Sequence, residues 1–389
     1  MIWDLFIVVV KVVAVFAFLM ISVMFTVWLE RRIVAFMQTR VGPNRVGPFG
    51  VLQTLADGIK LFFKEDIRPT SADRLLYGLA PVMMMVPAFL SVSVLPFGSN
   101  FGTEHAQLTD LNVGILFVLA MSSLQVYGIV LAGWSSGSNY PLLGAVRSSA
   151  QMISYEIAQG LSIVGVLMYA GTLSATGIVA AQHGDPIIGF IPRWYIVPQL
   201  PMFVVFLLAG IAETNRAPFD LPEAESELVG GYHTEYSGVK FALFFLAEYL
   251  NIITVSSVAT TLFLGGPDGP VLHGFLPWLW PILWFVLKIY LFIFLFIWLR
   301  ATLPRMRFDK LMAIGWKYLI PVALVWVMVT GVVLTVDLGA VNRRVLYIGI
   351  GVVAVLLLLS LFIPATSDSK TKPSKPTGPD RTATGGSPS

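Results

Sequence analysis

Glu223, Glu225 and Glu227 alternate inside the stretch ETNRAPFDLPEAESELVGGYHTEYSG, residues 213–238. In an extended segment alternate side chains point to one side, so the three carboxyl groups would share a face. Crowded carboxylates repel one another. Where burial adds its own penalty on charge, their pKa values rise and some hold protons near neutral pH. That is proton-exchange chemistry. Arg216 is the only Lys or Arg in the stretch, while Phe219, Leu221, Leu228 and Val229 suit packing. A solvated acidic loop is the simpler reading. Against it, the carboxylates continue inward through Glu213 and Glu235 to Glu248.

Lys11, Glu156, Glu248 and Lys288 stand in or near long apolar runs. Ionisable groups are costly at membrane depth and are functional candidates by default. Milder readings exist for two of them. Lys11 could snorkel from a span end, and Lys288 could pair with a carboxylate to hold a bundle together. Glu248 resists such a reading, because Tyr249 and Asn251 add polarity beside it and its run opens from the acidic stretch.

The elements that must position these groups are membrane helices. The chain has 389 residues, 56% hydrophobic and 12% charged, about half the charged fraction of a soluble domain. Apolar stretches of about 20 residues recur, each long enough to cross the hydrocarbon core as a helix. The expected fold is all-α and polytopic, with about nine spans near 5–29, 75–97, 111–133, 155–180, 195–212, 240–264, 277–299, 314–336 and 345–363. The first run is too long for a signal-peptide core and reads as a retained span. Residues 1–364 form the transmembrane domain. Residues 365–389, rich in Pro, Gly, Ser, Thr and Lys, read as a disordered tail.

The chain has no cysteine. This excludes disulfides, thiolate-held iron–sulfur clusters and c-type haem attachment within it. Its four histidines, His105, His183, His233 and His273, fall in connections rather than mid-span, which argues against a bis-His haem. No metal site and no nucleic-acid partner are expected.

Loop 30–74, the connections at 134–154 and 213–240, loop 300–317 and the tail together carry 20 Lys and Arg, against Arg193, Arg343 and Arg344 on the opposite side. The positive-inside rule then places the N-terminus outside and the acidic stretch and tail in the cytoplasm. Within loop 30–74, Gly42-Pro43 and Gly47-Pro48 shape a turn region. From about 51 to 65, Leu52, Leu55, Ala56, Ile59, Phe62 and Phe63 share one helical face, as in an amphipathic surface helix. Gly42-x4-Gly47 is no phosphate loop, because Pro48-Phe49 stand where Lys-Ser/Thr is required.

GPNRVGPFGVLQTLADGIKLFFKE and AETNRAPFDLPEAESELVGGYHTEYSG resemble the two signature regions of the H-subunit family of respiratory complex I, whose mitochondrial counterpart is NADH dehydrogenase subunit 1. SGSNYPLLGAVRSSAQMISYEIA and PRMRFDKLMAIGWK are similar to it as well, so the resemblance runs over about residues 5–335. It implies a subunit of a proton-translocating NADH:quinone oxidoreductase in the plasma membrane, with no redox centre of its own. Quinone, ubiquinone or menaquinone, is the substrate; NADH, FMN and iron–sulfur clusters belong to partner subunits. Peripheral-arm subunits share the quinone cavity, and membrane-arm subunits pump protons.

The resemblance also implies roles. Arg31, Asp57, Lys60, Arg300 and Arg305 would line the quinone cavity, with Glu30 as partner of Arg31 or its neighbours. Glu213, Arg216, Asp220, Glu223, Glu225 and Glu227 would shape it from the acidic loop. Glu156, Glu213 and Glu248 would begin a buried carboxylate path, with Glu235 nearby. The ligand would enter between the first span, the sixth span and the surface helix. Some family members carry a third-span carboxylate where this chain has Gln125 and Tyr127. Other readings are a cation-coupled secondary transporter, a structural membrane anchor, and the homologous subunit of a membrane-bound hydrogenase-type complex. No convincing internal repeat supports the transporter.

Overall fold

The structure is a computed structural model that describes residues 2–98, 107–184, 193–220, 229–270 and 279–335. Every regular element among them is helical. In chain order they are α1 (Ile2–Met37), the short surface helix α2 (Gln53–Phe63), α3 (Arg74–Val92), α4 (Gly114–Ser135), α5 (Asn139–Ala170), α6 (Ala175–Gln182), α7 (Leu200–Glu213), α8 (Gly238–Phe263), α9 (Leu279–Thr302) and α10 (Phe308–Thr335). Seven of the described helices are long and apolar enough to cross a membrane, and α7 is a shorter apolar helix. The suggested span at 345–363, the tail, and Glu223, Glu225 and Glu227 lie outside the described residues.

α8 is the axis of the bundle. It packs against α1, α2, α3, α6, α7 and α9, and every residue from Ala247 to Phe263 is buried. Its buried hydroxyls on Thr254, Ser256, Ser257, Thr260 and Thr261 each donate to the carbonyl four residues back. A polar helix face thus stays satisfied without water. α1 is the opposite case, with Val8, Val9, Phe16 and Ile21 facing outward as a lipid-contacting surface would.

Three boundaries differ from the sequence reading. α1 runs on past Arg31 and Arg32 to Met37, so both arginines sit on a helix. α10 begins at Phe308 and passes through a π-helical turn at Gly315–Leu319. The largest difference is α5, which begins at Asn139 and so makes most of the expected 134–154 connection helical. Its first half carries polar residues on the face turned into the protein, where Ser148 and Gln151 are fully buried, while Leu143 and Val146 face outward. It ends at Gly171, whose left-handed φ of 68° closes the helix, and Ser174 then caps α6 through the Gly177 N–H.

α2 appears where its periodicity places it, but its apolar face is not covered by this chain. Leu55, Ile59, Phe62 and Phe63 are all exposed. The helix is tied to α1 by Thr54 Oγ1 donating to the Met24 carbonyl at 3.2 Å and by the Arg31–Asp57 ion pair at 2.5 Å.

Candidate functional site

One end of the bundle, beside α2, holds a cluster of buried charge. Glu30, near the end of α1, is 8% exposed. It accepts from Arg300 in the last turn of α9, from Arg216 at 3.5 Å, and from the Tyr249 hydroxyl at 2.8 Å. The Arg216 guanidinium also lies over the Tyr249 ring, 4.4 Å from its centroid, a cation–π contact. Glu30, Arg216 and Arg300 line a water-sized cavity with Ile252, Ile293, Phe296 and Ile297, between α1, α8 and α9. Of the partners expected for Glu30, Arg31 or its neighbours, Arg31 itself is taken by Asp57. It points to the other side of α1, while Glu30 faces inward between two guanidinium groups.

Arg216 is held in place by its segment. Gln151 of α5, fully buried, donates through Nε2 to the Ala212 carbonyl at 2.8 Å and the Phe219 carbonyl at 2.9 Å. Asn215 takes a left-handed φ of 51°, which Asn tolerates better than most residues. Arg305 donates to the Asp220 carbonyl, and the Met306 N–H to the Pro218 carbonyl at 3.0 Å. Arg305 thus braces the backbone of the loop.

Four neighbouring positions of α8 join this cluster to the carboxylates. Glu248 accepts from the Tyr232 hydroxyl at 2.9 Å and lies within electrostatic reach of Arg216 and Asp220. Tyr249 serves Glu30, and Ile252 lines the apolar cavity. Asn251 lines a second, water-sized cavity with Glu213, Gln125 and Gln159. Glu213 and Glu156 each accept a serine hydroxyl from α4.

The chain resembles a described family over most of its length. A family model described as NADH dehydrogenase matches residues 10–331. A relative named as the H subunit of NADH-quinone oxidoreductase, from Frankia alni, is 54% identical over 366 residues, covering 91% of this chain and 79% of the relative. This chain belongs to the H-subunit family of NADH-quinone oxidoreductases. Its relatives of the same name from Frankia casuarinae and Streptomyces avermitilis are 54% and 50% identical over 362 and 372 residues, with 91% and 90% of this chain and 79% of each relative covered. As an H-subunit family member with seven long apolar helices among its described residues, it is a multi-pass membrane protein.

The other sequence candidates of this H-family chain divide clearly. Lys60 is exposed on α2, one turn from Asp57. Burial alone would raise the Asp57 pKa, but hydrogen bonds from Arg31 and Gln53 and the nearby cations outweigh it and hold the carboxyl below its usual range. Glu235 is half-buried and is used through its backbone, whose carbonyl accepts the Tyr77 hydroxyl at 2.7 Å. Lys288 has a structural task. Its ammonium donates to the carbonyls of Leu264, Gly266 and Asp268 at 2.7, 2.9 and 2.7 Å, capping the C-terminal end of α8.

Ser122, Ser123, Gln151 and Tyr232 are absent from the sequence-derived site. Only the two serines leave a trace in the sequence, as adjacent hydroxyls inside an apolar run.

His233, ahead of α8, is buried against Tyr232, Phe241 and Phe245. Burial pushes its pKa down to about 4. Folding therefore favours the neutral ring. That contribution is complete above the ordinary value of about 6.5 and is lost as pH falls toward about 4. Amide exchange corrected for intrinsic rates is expected to show residues 229–238 losing protection across that window, and His233→Phe is expected to remove the loss. Equal protection at both ends of the window in the unsubstituted chain would show that the ring is open to water.

Proposed function

We propose that this chain is the quinone-site and coupling subunit of a proton-translocating NADH-quinone oxidoreductase. The observation that carries the reading is the buried charge cluster of Glu30, Arg216, Arg300 and Tyr249, beside a small space walled by Ile252, Ile293, Phe296 and Ile297. A quinone has an apolar tail and a head with two carbonyl oxygens, which suits a few convergent donors beside apolar walls. Its reduction to the quinol takes two electrons and two protons. Partner subunits holding NADH, FMN and iron–sulfur clusters supply the electrons. Guanidinium groups of the cluster stabilise negative charge developing on the head.

Protons reach the head from carboxyl groups. Glu248 sits next to Arg216, and Asn251, one turn further along α8, faces the cavity of Glu213. Charge appearing at the quinone is felt at Glu248 and passed toward Glu213 and Glu156. Glu223, Glu225 and Glu227, which lie outside the described residues, are assigned to the same proton path by the resemblance to the family. The α2 end faces the cytoplasm and the N-terminus lies outside, as the distribution of Lys and Arg implies. Peripheral-arm subunits dock at that end, and membrane-arm subunits pump the protons.

The test is NADH-driven quinone reduction and proton uptake in membrane vesicles carrying Glu213→Gln, with assembly checked on a native gel. Proton uptake by the assembled complex is expected to fall at least about a hundredfold, the scale of losing a positioned proton carrier. Uptake at the unsubstituted rate would remove Glu213 from the path and defeat the coupling half of the reading.

A further inference from the structure

Ser122 and Ser123 are consecutive residues of α4 whose hydroxyls serve two different helices. Ser122 donates to Glu213 Oε1 at the end of α7, and Ser123 donates to Glu156 Oε1 on α5. Glu213 is 3% exposed. The two carboxyl groups are close enough for the charge of one to act on the other. One short piece of one helix thus fixes both members of an acidic pair, Glu213 buried and Glu156 half-buried.

The surroundings show what the clamp leaves free. Glu213 Oε2 and the Oε1 atoms of Gln125 and Gln159 are buried with no donor in close range, although the Gln159 side chain is near enough to act on the Glu213 carboxyl. Glu213 and both glutamines line the same water-sized cavity. Buried acceptors of this kind are normally satisfied by a donor, and a water molecule fits the space. Glu213 therefore has one oxygen held by Ser122 and a second turned toward a route for protons. Ser123 has a second acceptor of its own, the Leu119 carbonyl at 3.1 Å. A hydroxyl both donates and accepts. With Glu156 ionised, Ser123 donates to it. With Glu156 protonated, the carboxyl O–H donates to Ser123 Oγ, and the serine hydrogen turns to Leu119. Glu156 is served in either state.

We propose that Ser122 and Ser123 are positioning residues of the proton path, holding Glu213 and Glu156 in the geometry in which a proton passes between them. This rests on the coupling role proposed above for the two carboxylates. The step is balanced without any further reactant, since one O–H bond breaks at one carboxyl group and one forms at the other. The serines carry no net proton.

The experiment uses the assembled complex in sealed membrane vesicles and measures protons taken up per NADH oxidised. Ser122→Ala and Ser123→Ala are each expected to lower proton uptake about tenfold, as loss of a hydrogen bond to a charged group implies. Threonine keeps the hydroxyl, so Ser122→Thr and Ser123→Thr are expected to recover uptake to within about twofold. Ser257→Ala, which removes a fully buried hydroxyl bonded to its own helix, is expected to leave uptake unchanged. If an alanine variant fails to assemble, the cysteine variant, near in size and a weak donor, is expected to show the loss.

Normal uptake in the alanine or cysteine variants, alongside loss in Glu213→Gln and Glu156→Gln, would overturn the serine proposal alone. Normal uptake in both glutamine variants would overturn the carboxylate path on which it rests.

Discussion

Glu30→Gln is expected to destabilise the assembled complex by about 3 kcal/mol and to remove most quinone reduction, because it leaves two guanidinium groups facing one neutral amide. The Glu30 and Arg216 side chains are each only 10% exposed, and Arg300 is 34% exposed. The partial access of Arg300 to water is why the figure sits at the low end of the usual range. Arg31→Ala supplies the contrast. The Arg31–Asp57 pair is 48% and 27% exposed, and such pairs are worth less than about 1 kcal/mol. Thermal unfolding of the detergent-solubilised complex, together with NADH:quinone activity, separates the two. Equal, small effects of Glu30→Gln and Arg31→Ala would mean that the cluster is wet and carries no special energy.

Gly144→Val is expected to prevent stable assembly. A Cβ at position 144 would lie 2.8 Å from Gly231 Cα and 2.9 Å from both the Gly231 carbonyl carbon and the Tyr232 nitrogen. All three are backbone atoms, which cannot swing aside as a side-chain tip can. The cost of overpacking, about 1–3 kcal/mol, falls on the segment that carries Tyr232, the hydroxyl donor to Glu248. Gly144→Ala is the milder form and is expected to assemble with a lower melting temperature and reduced quinone reduction. The comparison is a native gel of solubilised membranes followed by a melting curve. A Gly144→Val complex with unchanged melting temperature and activity would show that α5 and the 229–238 segment are not in tight contact.

Much of the fold is written in hydropathy. Long apolar runs near 5, 75, 111, 240, 277 and 314 became helices within a few residues, because the bilayer sets the length of an apolar helix. The start of α5 was hidden for the complementary reason. Between Asn139 and Ser154 the polar residues Ser148, Gln151 and Ser154 lie on the buried face, where Gln151 serves the Ala212 carbonyl of α7 and Asn215 and Phe219 beyond it, and mean hydropathy does not resolve the two faces. At the site, the inward-facing charges Glu30, Arg216, Arg300, Glu213 and Glu248 were legible as charges in apolar surroundings. Their pairing was not. Whether Glu30 meets Arg31, its neighbour in sequence, or Arg300, which is 270 residues away, depends on which side of α1 each faces and on how the helices pack. Ser122 and Ser123 were illegible for a similar reason, as hydroxyls acquire a role only from what lies opposite.

The Glu30 cluster also sets a timetable for biosynthesis. Its acid is made first and its bases far later, Arg216 after 186 residues and Arg300 after 270. At about 5–20 residues per second, Glu30 waits roughly 15–50 s at the membrane edge before Arg300 emerges. A chain cut short before α9 has Arg216 and Tyr249 as partners for Glu30 but lacks Arg300. The ion cluster is complete only in a chain translated through Arg300, so its final closure reports that the last helix of the site has arrived.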